Sequence, residues 1–448
     1  MKKTIFVLSM LIIGFLGSAQ NSLVVKFLPR ENYPWTILYR IQDVKQTYIQ
    51  NKQLGKEQSE FIYDLSKQNT GEYLLMYDTN PKNFIYFIYT GTSVHMKVFP
   101  KENNRVEFID SKENEILYAY RKQRDSLVDL LNKTESKLAR DQKLTETEIA
   151  QFNRNRKELK NIQKKFRKRS KKLFAYKLII NLSEYYPEFQ TDKSKYFNDK
   201  MQHYLDDTNW DDVDLMNTNV LIGKINHYVF NINPPADFRK KHKEYIQRVE
   251  KVLTKIKNDN YRYNTILSLI SSFAQTEGKT AKYLVEKYYH NMPEKYKTQI
   301  NLKTLEHEIG FTVGEKVPDF NFKDLKKKHH LYEINKKPYT LLIFWGATCS
   351  HCLKEMPKFQ KIMKAHLKNF DVVAIGLETE DYPWSSEHQY YPEFYHGLKL
   401  QKWDNPIVKQ YHLKWTPTLF VLDKNHKIIA KPYDSEALKN VLKIIDKK

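Results

Sequence analysis

Leu341-Leu342-Ile343-Phe344-Trp345-Gly346-Ala347-Thr348-Cys349-Ser350-His351-Cys352-Leu353-Lys354-Glu355-Met356-Pro357 is the stretch whose reading decides the fold. Leu341 to Phe344 form a short apolar run, the mark of a buried strand. Gly346 allows a tight connection, and a helix opens at Cys349. Cys349 and Cys352 are the only cysteines among 448 residues, and they stand three apart. A cysteine in the first turn of a helix faces unpaired backbone N–H groups and the positive end of the helix dipole. Both favour thiolate over thiol, which makes Cys349 the nucleophile. Cys352 lies one turn further in, placed to attack a mixed disulfide formed at Cys349. A closed staple of this size would remove little chain entropy, so a purely structural disulfide is a weak alternative.

Three more features belong to the same constellation. Trp345, four residues before Cys349, is expected beside the sulfurs on the substrate side. Glu355 falls on the helix face of Cys352 and is expected to exchange protons with the inner thiol, as the only acid near the motif. Downstream, Trp415-Thr416-Pro417-Thr418-Leu419-Phe420-Val421-Leu422-Asp423 brings a proline into an apolar strand, and a cis Thr416–Pro417 bond is the natural reading. With Val313-Gly314-Glu315-Lys316-Val317-Pro318-Asp319-Phe320, Phe344-Trp345 and Cys349-x-x-Cys352-x-x-Glu355-x-Pro357, the last third of the chain resembles the TlpA/ResA-like thiol–disulfide oxidoreductases of bacterial envelopes, in the thioredoxin superfamily. The resemblance implies a C-terminal α/β thioredoxin-like fold and a Cys349/Cys352 dithiol–disulfide cycle without a bound cofactor. It also implies substrate contacts at Thr416 and Pro417, with protein disulfides or thiols as substrates. An external electron donor such as a membrane thiol transporter would complete the cycle, since no third cysteine exists.

The sequence departs from that family at two places. Thr348 stands where an aromatic residue often precedes the first cysteine, and Ser350-His351 fills the motif. These two are the expected tuners of the thiol, and a cationic imidazole at His351 pulls towards an oxidase. The whole-domain likeness favours a reductase of protein disulfides. A disulfide-forming oxidase is one alternative. Another is a Cu(I) metallochaperone using both cysteines with His351 or His412, since soft thiolates suit that ion.

Met1 to Gln20 carries Lys2-Lys3, an apolar core from Ile5 to Leu16 and small residues at 17–19, the pattern of a secretory signal peptide. Periplasm or cell envelope is the expected location. No metal site is expected, because His203, His227, His242, His290 and His329-His330 lack ligand spacing.

Residues 21–110 hold short β-branched and aromatic runs separated by turn signals, including Thr70-Gly71 and Asn80-Pro81, and predict an antiparallel β module. Residues 111–307 predict an α-helical region. Phe152, Leu159, Phe166 and Leu173 recur every seven residues, Thr145 and Glu148 form a capping box, and Ser111–Leu182 reads as a helical hairpin. Residues 308–448 complete a multidomain chain. The net charge of +22 includes the run Lys164 to Lys172. In an exported chain it excludes nucleic acid as a partner and leaves a solvated helix face or an anionic membrane surface.

Overall fold

The computed structural model describes residues 21–446, apart from 30–32, 56–57, 79–82, 236, 238, 303–304, 306–308 and 324–326. The expected signal segment and the Asn80-Pro81 turn lie outside the described residues. Two compact units divide the chain, one up to Tyr228 and one from Val229. The division falls inside the helical region, so the later helices group with the C-terminal α/β fold.

The first unit begins with eight strands: β1 (Ser22–Phe27), β2 (Trp35–Gln42), β3 (Lys45–Gln53), β4 (Phe61–Asp64), β5 (Gly71–Met76), β6 (Ile85–Tyr89), β7 (Val94–Phe99) and β8 (Arg105–Phe108). They form two sheets ordered β4-β1-β7-β8 and β3-β2-β5-β6. Alternation along β4 and β7 sends Phe61, Tyr63, Val94, Met96 and Val98 into a shared apolar core with Leu23, Val25 and Tyr73. The module is not wholly antiparallel, because β1 and β7 run parallel. β3 is exposed and mostly polar, which is why no apolar run betrays it.

Helices Lys112–Ala139 and Glu146–Ser170 pack along each other through Tyr120, Leu131, Phe152, Leu159 and Phe166. The capping box is present: Thr145 accepts from Glu148 N–H while Glu148 accepts from Thr145 N–H. The second helix stops at Ser170, earlier than the apolar period suggests. Glu113 then accepts the N–H groups of Phe174 and Ala175 at 2.9 and 2.7 Å and opens a separate short helix, Ala175–Asn181. Of the basic run, Lys164, Lys165, Lys168 and Lys171 face solvent while Phe166 is buried.

In the second unit, helices Lys241–Lys255, Asp259–Thr276 and Gly278–Lys287 precede the α/β fold. Gly278 meets Thr312 so closely that a Cβ there would lie 2.1 Å from Thr312 Oγ1. A small hairpin, β9 (Asn321–Lys323) and β10 (Lys328–His330), leads to the main sheet. That sheet contains β11 (Tyr339–Trp345), β12 (Phe370–Leu377), β13 (Tyr395–Lys399), β14 (Thr418–Asp423) and β15 (Ile428–Ala430), ordered β13-β12-β11-β14-β15. Every residue of β12 is buried, as expected of a strand covered on both faces. Leu341, Ile343 and Trp345 point to one side, against helices Ser350–Lys364 and Ser435–Ile445. Leu342 and Phe344 point to the other, against Phe311, Ile407 and Tyr411.

Leu331–Glu333 is a 3-10 turn; Leu331 and its C-cap residue Ile334, both buried, are three apart, the spacing that eclipses in such a turn. The polar aromatic segment 381–403 contains a helix, Asp381–Glu387, and the edge strand β13. Gly397 hides that strand from a propensity reading. A Cβ there would meet Ile375 Cδ1 and Phe322 Cβ at 2.8 Å, so close packing requires the glycine.

Candidate active site

Sheet register brings the site together. β14 runs antiparallel to β11 with Phe344 opposite Thr418, so the chain after β11 meets the chain before β14. Cys349 therefore faces Thr416, whose carbonyl accepts the Cys349 S–H at 3.5 Å, and the Thr416–Pro417 peptide is cis. β12 runs parallel to β11 with Trp345 opposite Gly376, which sets the residues beyond Leu377 beside Ala347 and Thr348.

Cys349 is the N-cap of helix Ser350–Lys364, and its Sγ accepts the Cys352 N–H at 3.4 Å. Cys349 is partly exposed, whereas Cys352 is fully buried among apolar side chains; both are free thiols. Burial alone would raise the Cys349 thiol. Hydrogen bonds from the Cys352 thiol and N–H, from the Thr416 side chain and from the His351 N–H outweigh it and hold Cys349 below the ordinary thiol value. Burial, reinforced by the hydrogen bond to Cys349, pushes Cys352 up to about 12. The two sulfurs are thus chemically unequal. One thiol gives up its proton more readily and lies within reach of solvent, the other holds its proton in the core behind it.

The remaining expected residues are placed as follows. Ser350 and His351 are exposed on the first turn of the helix, and Pro417 is buried behind Thr416. Trp345, expected at the substrate surface, is instead fully buried, its ring edge-on to Tyr391 at 5.9 Å. Its place on β11 points it inward with Leu341 and Ile343, so the indole belongs to the core. An exposed indole does lie beside the site: Trp415, 58% exposed, directly precedes Thr416. Its signal in the sequence was its position next to the cis proline, which carried no weight beside Trp345.

Glu355 is buried, and both of its oxygens are engaged. Lys358 Nζ donates to Oε1 at 2.7 Å and Ser435 N–H to Oε2 at 2.8 Å. Burial would raise this carboxyl, but those donors outweigh it and hold the group below its usual range. The carboxylate ties the active-site helix to the start of the C-terminal helix.

Nor is Glu355 the only acid at the motif. Glu378, fully buried just past β12, accepts the N–H groups of Ala347 and, at 3.3 Å, Thr348 on Oε1, and the Thr348 hydroxyl on Oε2 at 2.9 Å. The sequence signal was available: an acid at the carboxyl end of the strand beside the motif strand, where sites on parallel sheets gather. His412 packs against Phe311 with ring centres 4.9 Å apart. Among the described residues no three His, Cys, Asp or Glu side chains gather as a metal-binding group.

Comparison with known proteins agrees with this geometry. The Redoxin family matches residues 312–445. A thiol-disulfide oxidoreductase ResA of Bacillus cereus is 31% identical over 122 residues, which cover 27% of this chain and 68% of that protein. The thioredoxin-like protein YneN of Bacillus subtilis is 25% identical over 117 residues, covering 26% of this chain and 69% of that protein. Among solved structures, the thioredoxin domain of a Bacteroides vulgatus thiol-disulfide oxidoreductase is 27% identical, covering 30% of this chain and 97% of that one, with a TM-score of 0.27. The chain belongs to the ResA-like thiol–disulfide oxidoreductases of the thioredoxin superfamily and is a protein-disulfide oxidoreductase.

Proposed function

We propose that the protein is an exported reductase of protein disulfides that works through a Cys349/Cys352 dithiol–disulfide cycle. The observation that carries the dithiol cycle is the inequality of the two thiols, Cys349 partly exposed and lowered, Cys352 buried and raised, while the reductase direction rests on the likeness of the whole domain to ResA. The Cys349 thiolate attacks one sulfur of a substrate disulfide. The substrate S–S bond breaks, its other sulfur leaves as a thiolate and takes a proton, and a mixed disulfide remains. Cys352 then gives up its proton and attacks Cys349 Sγ. The mixed disulfide breaks, the second substrate sulfur leaves reduced, and the two electrons given to the substrate leave a Cys349–Cys352 disulfide behind. An external dithiol protein restores the pair, so no bound cofactor is needed.

The cis-proline loop would hold the substrate segment as an added strand beside Thr416, with Trp415 as an apolar contact. His351 is expected to tune the couple without reversing it. About 30 mV corresponds to one decade in equilibrium constant, so a pKa unit on one thiolate moves the potential by only tens of millivolts. Export to the periplasm or envelope rests on the N-terminal pattern of the sequence.

The decisive test is the reduction potential of the purified dithiol against a glutathione or dithiothreitol buffer. A value near about −200 mV or below is expected of a reductase. A value near about −120 mV, that of strong oxidants, would transfer the site to disulfide formation.

A further inference from the structure

The turn between β11 and the active-site helix is held from behind by a group that the dithiol cycle does not use. Glu378 is 0% exposed, yet three donors converge on its two oxygens: the N–H groups of Ala347 and Thr348 and the Thr348 hydroxyl. The Thr348 hydroxyl in turn accepts from Lys402 Nζ at 2.9 Å, and Lys402 N–H donates to the Glu378 carbonyl at 3.0 Å. The bonds account for both oxygens of the buried carboxylate and for the buried Ala347 N–H, which would otherwise be costly. Ala347 and Thr348 are also the residues that deliver the chain to Cys349. Their tether therefore fixes where the nucleophile caps the helix.

The same carboxylate lies close behind the sulfur. A Cβ on Gly346 would stand 3.4 Å from Glu378 Oε1 and 3.6 Å from Cys349 Cβ, so those atoms are within about 7 Å of each other, close enough for a charge to be felt. The charged and titratable groups around Cys349 are then Cys352, His351 and Glu355 of its own helix, Glu378 from the end of β12, and Lys402 one hydroxyl away. Lys402 is the outer of the two ions and partly exposed, so solvent screens it more than the buried carboxylate.

We propose that Glu378 is the positioning residue of this site, anchoring the turn that presents Cys349 and setting, as a fixed negative charge behind it, the reducing bias of the dithiol. A negative charge disfavours thiolate at Cys349, and a less stable thiolate makes the dithiol a better electron donor. This deepens the reductase reading and rests on it for direction only. The expected difference between variants at Cys349 does not depend on that direction.

The test compares wild type, Glu378→Gln and Glu378→Asp as full chains, with far-UV circular dichroism to verify folding. Glutamine keeps an acceptor for the two N–H groups and removes the charge; aspartate keeps the charge on a shorter arm. Two readouts are taken: the pH profile of Cys349 alkylation by iodoacetamide, mapped by mass spectrometry, and the equilibrium with a glutathione buffer. In Glu378→Gln the alkylation profile should move to lower pH by about one unit, raising the rate in its acid limb about tenfold. The dithiol should become about tenfold harder to oxidise, about 30 mV towards oxidant. Glu378→Asp should fall between wild type and Glu378→Gln in both readouts.

A folded Glu378→Gln with unchanged profile and equilibrium would reduce Glu378 to a structural tether and overturn the proposal. So would a shift of the profile to higher pH. Should Glu378→Gln fail to fold, Glu378→Asp decides: its carboxylate, drawn back on a shorter arm, should move the profile part of the way to lower pH, and an unmoved profile or one moved to higher pH overturns the proposal. The absolute wild-type potential judges the reductase reading separately, since an oxidant-like value would sink that direction while leaving the difference between variants intact.

Discussion

At the scale of single residues, the site is a contrast between two identical side chains in different surroundings. Cys349 meets hydrogen-bonding partners and some solvent; Cys352 meets apolar packing. Alkylation at neutral pH should therefore modify Cys349 and spare Cys352, whose thiol is pushed up to about 12 and should react only as the pH climbs towards that value. Peptide mapping after a short pulse checks the order, and preferential labelling of Cys352 would reverse the roles. Cys352→Ala should accumulate mixed disulfides through Cys349, seen as adducts that dithiothreitol releases. Both cysteines, the strand ahead of them and the proline opposite were legible because their chemistry is written in adjacent residues. Trp345 and Glu378 were not. Whether an indole faces core or substrate depends on strand parity against the whole sheet, and Glu378 reaches the motif only through the pairing of β11 with β12.

At the scale of elements, two helices on one face of the sheet are joined through Glu355. Its carboxylate takes the N–H of Ser435, the first residue of the C-terminal helix, and the ammonium of Lys358. A carboxyl lowered in the folded protein contributes stability that is full above its unfolded value, about 4.3, and is lost as the pH falls through the lower folded value. Glu355→Gln should destabilise the protein by about 1.5–3 kcal/mol at pH 7, the range for a hydrogen bond to a charged group, with the difference from wild type shrinking below about pH 4. Urea melts at pH 7 and pH 3.5 measure this. Resolution of a mixed disulfide slowed tenfold at unchanged stability would instead make Glu355 a proton carrier. Long periodic elements such as the helical hairpin were legible from their apolar period. β3, β13 and the 3-10 turn at Leu331 were not, because each is short or polar and is held by its neighbours rather than by its own propensity.

At the scale of the whole molecule, the α/β fold does not stand apart from the helices that precede it. Gly278 opens helix Gly278–Lys287 against Thr312, with space for no side chain. Gly278→Ala should cost about 1–3 kcal/mol through overpacking, although alanine suits helices better. A lower thermal midpoint of the full chain checks this, and an unchanged or raised midpoint would mean that the contact yields. The sequence reading begins the thioredoxin-like domain at residue 308, ahead of the motif residues that start at Val313, and the second compact unit takes in the helices from Val229 as well.

The loop ahead of the cis proline also gives the molecule an optical property. Trp415 stands in solvent one residue from the carbonyl that the Cys349 thiol contacts, whereas Trp345 and Trp384 are sealed in the core. Exposed indoles emit at longer wavelength than buried ones, and a nearby disulfide quenches emission. The red edge of the fluorescence spectrum, shared by Trp415 and the 41% exposed Trp403, should therefore dim as Cys349 and Cys352 join, and Trp415→Phe should remove most of that red-edge change, whereas quenching of the blue emission of Trp345, packed in the same core as both cysteines, should persist. Each turnover would then be visible as light, without a label.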